Sequence, residues 1–160
     1  MLERFGVVLL LVVACGGKKP IPSKGEADEA DRTALSMENE VLKAVALHEL
    51  GDIDLEKPVC LAARGAPDID ALRAQVRAKY RNTVANEECS GGGPDGSSVR
   101  APGGPGVRID IGPVTIVTEH SASCNGGGAY VSGGAREIRY IVENKGGTWT
   151  VTHEKIVMEM

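Results

Sequence analysis

The spacing of hydrophobic residues in the first half of the chain predicts two helices. One apolar face recurs every three or four residues and consists of Met37, Val41, Leu42, Val45 and His48. This period is that of an amphipathic helix, and Gly51 directly beyond it is a typical helix-ending residue. We therefore predict a helix from about residue 36 to residue 50.

A buried strand and a second helix are predicted next. The short apolar run 58–62 is typical of a buried strand. After the start signal Pro67-Asp68, apolar residues return with helical spacing at Ile69, Leu72, Val76 and Tyr80. Residues 90–106 are rich in glycine and proline and have no apolar period, so we expect a long loop there.

Beyond residue 106 the hydrophobic period becomes two, which predicts strands. The alternation over 107–116 slips in phase at Gly112-Pro113, where we expect a bend or bulge. Two more alternating runs, 137–143 and 148–152, flank Asn144-Lys145-Gly146-Gly147, which is typical of a hairpin loop. The predicted fold is α+β, with N-terminal helices packed on a curved antiparallel sheet of about four strands.

The simplest register of this last hairpin places one row of side chains on the core side. The expected pairs are Val142 with Trp149, Tyr140 with Val151, and Ile138 with His153. The apolar phase then shifts to Ile156 and Met158, so we expect the last strand to bulge near Glu154.

The N-terminus has the features of a secretion signal. Residues 5–14 are uncharged and mostly apolar, and this run is too short to span a bilayer, which takes about 20 residues. It ends in Val12-Val13-Ala14-Cys15-Gly16, which resembles the bacterial lipobox. The resemblance implies cleavage before Cys15, a diacylglyceryl thioether on its sulfur, and acylation of the new amino terminus, for example by palmitate. Several acyl chains anchor a protein stably to a membrane.

This interpretation divides the chain into a signal peptide (1–14), a lipidated tether (15–34) and one domain (35–160). Residues 16–33 are polar and contain Pro and Gly, which is typical of a flexible tether. Gly16, rather than Asp, follows the cysteine, and by the enterobacterial sorting rule this favours the outer over the inner membrane. We expect the cell envelope as the location and the membrane as the first partner, reached through the lipid.

Composition excludes one class of partner. The formal net charge is −4, and no basic stripe occurs along the chain. Nucleic-acid binding is therefore not expected. Aromatic residues make up only 3% of the chain, so its core must be mostly aliphatic.

A second resemblance concerns the domain itself. Tyr140-Ile141-Val142, followed by Gly147-Thr148-Trp149-Thr150-Val151, resembles the closing hairpin of small secreted domains of the nuclear-transport-factor-like, curved-sheet class. The settings of Cys60, Cys89 and Tyr130 are also similar to those in uncharacterised small envelope lipoproteins. Because that class contains enzymes, binding proteins and scaffolds, the resemblance implies a fold and leaves the function open.

Two motifs invite a catalytic interpretation that their surroundings do not support. His48-Glu49 resembles the start of the zinc-protease motif H-E-x-x-H, but Asp52 and Pro58 occupy the second and third ligand positions and Gly51 should end the helix. Residues 125–128, Asn-Gly-Gly-Gly, lack the Lys-Ser/Thr of a phosphate loop and are expected to form a turn or bulge between strands. We predict no metal, no cofactor and no catalytic residue.

Three cysteines follow Cys15, and they contain no C-x-x-C pair. Outside the cytoplasm a disulfide is their expected use. We favour Cys60 with Cys89, because both flank the second predicted helix, while pairings of either with Cys124 stay open.

Two functions are therefore weighed. The first is a non-catalytic envelope module that binds or braces a partner. The alternative is a ligand-binding or catalytic domain with a pocket on the concave face, lined by Tyr130, Tyr140, Trp149 and His153. A filled face favours the first, and an open cavity holding His153 beside a carboxylate favours the second.

Overall fold

A computed structural model describes residues 24–51, 56–91, 98–129 and 135–159. The elements in chain order are α1 (Lys24–Leu50), β1 (Val59–Ala63), α2 (Ile69–Arg77), β2 (Thr83–Ala85), a 3-10 turn (Asn86–Glu88), β3 (Arg100–Ala101), β4 (Gly104–Pro105), β5 (Val107–Thr118), β6 (Ser121–Ala129), β7 (Ala135–Lys145) and β8 (Thr148–Glu159). The predicted signal peptide and Cys15 lie outside the described residues. The fold is α+β, as predicted.

The main sheet is larger than predicted and is mixed. Its strand order is β2-β1-β5-β6-β7-β8, with six strands. β1 runs parallel to both β2 and β5, while β5 to β8 are successively antiparallel. The expected antiparallel sheet of about four strands is therefore wrong. The pairing of β1 with β2 is parallel because α2 forms the crossover between them. The sequence did not reveal β2, because its three residues are too few to show an alternation.

Helix α1 is longer than predicted and covers one face of the sheet. It begins at Lys24, so residues 24–34, expected to be part of a flexible tether, are helical. Good helix formers such as Ala and Glu are frequent in this polar stretch, although it offers no apolar period. The second half of α1 packs on β5 to β8 and on α2. The buried residues of this helix–sheet interface include Val41, Leu42, Val45, Ala46 and Leu50 from α1, and Ile109, Ile111, Ala122, Cys124, Ile138, Tyr140 and Val142 from the strands.

Helix α2 forms where its start signal predicts. The Asp68 carboxylate caps the first turn by accepting a hydrogen bond from the Ala71 amide at 2.9 Å. Leu72, Val76 and Tyr80 are buried, as the helical spacing predicts. The predicted loop over 90–106 is only partly a loop, since it contains the small β3–β4 hairpin and the fully buried Val99.

The predicted irregularity in the first long strand is confirmed. The register of β5 on β6 shifts between Ile111 and Val114, with Gly112 at a φ of 93°. A Cβ atom at Gly112 would lie 2.2 Å from the Arg64 carbonyl oxygen. Glycine is therefore required both by the backbone conformation and by the close approach of the β1 end.

The glycine run 125–128 forms part of strand β6, and the expectation of a turn or bulge there is wrong. The glycines make room for β7 and its side chains. A Cβ atom at Gly126 would lie 2.8 Å from Cε2 of Tyr140, and one at Gly127 would lie 2.1 Å from the Arg136 carbonyl oxygen. The absence of side chains here lets the Tyr140 ring lie over the strand.

The β7–β8 hairpin forms, but its register differs from the predicted one. Gly146 and Gly147 alone make the turn, both with positive φ, so Lys145 pairs with Thr148 and Asn144 with Trp149. The predicted register assumed a four-residue loop, so none of the expected pairs is formed.

The irregularities of β8 also differ in position. Register shifts occur between Ile141 and Val142 and between Glu137 and Ile138, which leaves Thr152 and Val157 as the additional residues on β8. The expected single bulge near Glu154 is therefore replaced by two. As a consequence His153 pairs with Ile141 and is exposed, whereas the predicted strand phase placed it on the core side.

Candidate functional site

The last turn of α1 carries a buried carboxylate, Glu49, next to a partly exposed histidine, His48. His48 and Glu49 are adjacent in sequence, and therefore point in different directions from the helix. The Glu49 side chain is only 1% exposed, whereas that of His48 is 43% exposed and lies at the edge of the sheet beside β8. The two residues thus take part in separate contacts with the sheet.

Glu49 is a carboxylate buried in the core, and it has two partners on β7. The Tyr140 hydroxyl donates a hydrogen bond to Oε1 of Glu49, and Nη2 of Arg136 lies 3.4 Å from Oε2. Burial first, and then the hydrogen bond and charge of Glu49, raise the pKa of Tyr140 well above its ordinary value. The phenol therefore stays a hydrogen-bond donor, as a buried carboxylate requires.

His48 links the same helix turn to the edge strand. Its Nε2 lies 2.9 Å from Oε2 of Glu154, and its ring meets the Tyr140 ring edge-on with 5.8 Å between centroids. Both side chains are about half exposed, so solvent screens this contact and its contribution to stability is small.

The zinc-protease fragment is used here for packing. Glu49, which would be the general base in that motif, is closed off by Tyr140 and Arg136. Asp52, at the second ligand position, lies outside the described residues. Within the part of the chain that the structure describes, no group of three His, Cys, Asp or Glu side chains is placed to hold a metal ion.

Of the four residues predicted to line a common pocket, the three that the structure describes do not line one together. Tyr130 lies outside the described residues, and Tyr140 and Trp149 are buried in the core. His153 instead borders a groove of about 270 Å³ at the sheet edge, formed by His48, Val151, Thr152, His153 and Glu154. This groove is lined by the last turn of α1 and by the edge strand β8.

The cysteines behave as structural residues. Cys60 on β1 and Cys89 after the 3-10 turn form a disulfide, which is the pairing that the sequence favours. Cys124 is a free and buried thiol, and burial raises its pKa to about 11. A thiol that resists ionisation is a poor nucleophile, so the structure gives no support to a catalytic Cys124.

The buried network was partly visible in the sequence. Glu49 stands seven residues after Leu42 and four after Val45, in line with the buried face of α1. A carboxylate at such a position signals a buried partner. Arg136 and Tyr140 carry no corresponding signal, because their sequence separation from Glu49 is about 90 residues.

Comparisons with protein-family models, curated proteins and solved structures gave no match. None of the described helices is both long and apolar enough to cross a membrane.

Proposed function

We propose that this chain is a lipid-anchored protein of the bacterial cell envelope whose folded domain is a non-catalytic binding or structural module. The support for the anchor is the uncharged apolar run over residues 5–14 and the small residue Ala14 directly before Cys15. Gly16 favours the outer membrane. The helix-covered sheet and its closing β7–β8 hairpin support the proposed nuclear-transport-factor-like class.

The observation that carries the non-catalytic role is the filling of the sheet face beneath α1. Aliphatic side chains from the helix and from four strands occupy this interface, and the residues at its centre are fully buried. The polar groups of Glu49 and Tyr140 in this interface are already paired, since the Tyr140 hydroxyl donates a hydrogen bond to Glu49. A ligand would have to displace α1 to reach this face, so binding belongs to the periphery of the domain.

The anchor is tested by expressing the full chain and its Cys15→Ser variant in an enterobacterial host supplied with labelled palmitate. For the natural sequence we expect incorporation of the palmitate label, recovery in the membrane fraction and the mass of a mature protein that starts at Cys15. For the variant we expect none of these. Cys124→Ser is the matched control, because its thiol is buried in the domain and its loss should leave the label in place. A soluble mature protein that starts elsewhere would refute the anchor.

A second candidate function is supported by the groove at the edge of the sheet. His153 and His48 border it together with the Glu154 carboxylate, and these groups can form hydrogen bonds with a polar ligand. The test is a His153→Ala variant with His120→Ala as its control, since His120 is exposed in the β5–β6 turn. Loss of a ligand or activity on replacing His153 alone, with the fold retained, would place this function ahead of the first.

A further inference from the structure

A cavity of about 370 Å³ opens at the end of the sheet where β1 and β2 begin. Three separate segments form its walls, namely residues 56–58, residues 77–84 and the turn of the β3–β4 hairpin. Its lining residues are Glu56, Pro58, Arg77, Arg81, Asn82, Thr83, Val84, Pro102 and Gly103. Cavities of roughly 300–1,000 Å³ are typical of small-molecule sites.

The cavity is basic in a protein that is acidic overall. Arg77 and Arg81 both line it, and the stretch 77–81 contains three cations and no carboxylate, whereas the whole chain has a net charge of −4. Arg81 is exposed and has no hydrogen bond or ion pair with any described residue. Glu56 is the one carboxylate among the lining residues.

The local backbone holds these groups in place. Nε of Arg77 donates to the Thr83 carbonyl oxygen at 2.5 Å, which fixes the guanidinium against the start of β2. The Thr83 amide and hydroxyl both donate to the Tyr80 carbonyl, which closes a turn over residues 80–83 that contains Arg81. The Asn82 side chain donates to the Glu56 carbonyl oxygen at 3.2 Å and joins two of the walls. The Arg77 guanidinium is therefore preorganised, while the exposed Arg81 side chain is available to a ligand.

We propose that this cavity binds a phosphate group, carried by a free phosphate ester or by a lipid headgroup. Guanidinium groups match phosphate oxygens in geometry and form charge-assisted hydrogen bonds with them. A phosphate ester carries about −1.5 to −2 charges at neutral pH, which two arginines can balance. The inference rests on the proposed binding role and does not depend on the lipid anchor.

The test uses the full chain with Cys15→Ser, so that no acyl chain contributes to membrane binding. Inorganic phosphate and glycerol 3-phosphate are titrated by calorimetry, and phosphatidylcholine vesicles with and without phosphatidic acid by co-sedimentation. Arg81→Gln is the test variant and Arg64→Gln the control, because Arg64 follows the opposite end of β1 and also loses one exposed positive charge. Thermal unfolding verifies that both variants fold.

We expect saturable binding that Arg81→Gln weakens about tenfold or more, because the variant loses one charge-assisted hydrogen bond to the phosphate. Arg64→Gln should leave the affinity unchanged. Binding of the soluble probes assigns a free phosphate ester, and binding of the phosphatidic acid vesicles alone assigns a headgroup. Equal effects of the two variants would show nonspecific charge attraction and overturn the site, as would the absence of binding to every probe. If the natural sequence takes up no lipid in the labelling experiment while the cavity binds phosphate, the anchoring proposal is refuted and this one is retained.

Discussion

Removing the hydroxyl of Tyr140 should destabilise the domain strongly, because it leaves Oε1 of the buried Glu49 without its hydrogen-bond donor. The Tyr140 and Glu49 side chains are at most 1% exposed, so water cannot replace the donor. Arg136 would be the remaining partner of the carboxylate among the described residues, at 3.4 Å, and its own side chain is 32% exposed. Hydrogen bonds to charged groups contribute about 1.5–3 kcal/mol, and we expect Tyr140→Phe to cost about 2–3 kcal/mol.

The assay is equilibrium unfolding in urea, followed by circular dichroism. With a slope of about 1–3 kcal/mol per molar urea, the unfolding midpoint should fall by about 1 M or more while the slope stays constant. Tyr80→Phe is the matched control, because Tyr80 is also buried but its hydroxyl has no hydrogen-bond partner among the described residues. It should change the free energy of unfolding by less than about 0.5 kcal/mol.

A double-mutant cycle separates the hydrogen bond from the shape of the side chain. Replacing both partners, as Glu49→Leu with Tyr140→Phe, removes the carboxylate that Tyr140→Phe alone leaves unsatisfied. The double variant should therefore be at least as stable as Tyr140→Phe, with a coupling energy of about 1.5–3 kcal/mol. Equal effects of the two Tyr→Phe variants, or additive effects in the cycle, would refute the assignment of Glu49 as a buried group that depends on Tyr140.

Four further predictions concern single features of the fold. Gly126→Ala should lower the free energy of unfolding by about 1–3 kcal/mol, because the new Cβ would meet the Tyr140 ring, which its hydrogen bond to Glu49 holds in place. Thermal or urea unfolding measures this loss, and an unchanged midpoint would show that the ring can shift. Replacing Cys60 and Cys89 by Ala should cost about 3–4 kcal/mol on the chain-entropy model for a separation of 29 residues, and mass analysis of the alkylated native protein should find neither thiol free. Cys124 should not react with a thiol reagent at pH 8 until the protein unfolds. Because the pKa of its thiol in the folded protein, about 11, exceeds the ordinary value of 9.0, its contribution to stability is complete below pH 9 and is lost as the pH rises through 11. Comparing the unfolding of the natural protein and Cys124→Ala across that pH range measures this loss. Glu154→Gln should change the free energy of unfolding by less than about 1 kcal/mol, since its pair with His48 is exposed, and a larger loss in urea unfolding would contradict the screening argument.

The parts of the fold that the sequence predicts well are those in which one local signal is sufficient. The capping carboxylate of Asp68 and the helical spacing of Leu72 and Val76 define α2. The phase slip at Gly112-Pro113 correctly marks the irregularity in β5. In each case the residues that determine the structure are close together in the chain, so their pattern is visible without knowledge of distant contacts.

The errors arise where distant contacts decide. The glycines of β6 are poor strand formers, yet Tyr140 and the β7 backbone require their small size. The register of β8 depends on whether the turn uses two or four residues, and each choice leaves an alternating pattern. The exposure of His153 follows from the additional residue Thr152, because this one-residue shift pairs His153 with Ile141 and reverses its side of the sheet.

The basic cavity shows why the site was harder to predict than the fold. Arg77 and Arg81 are four residues apart, a spacing that on a continuous helix would indicate an ordinary solvated face. The helix instead ends at Arg77, and the bonds of Thr83 to Tyr80 fold the chain back at the start of β2. Both arginines line the same cavity, and its remaining walls come from segments about 20 residues away on either side. The chemistry of the site thus depends on where α2 ends, which is the feature of a helix that its sequence defines least well.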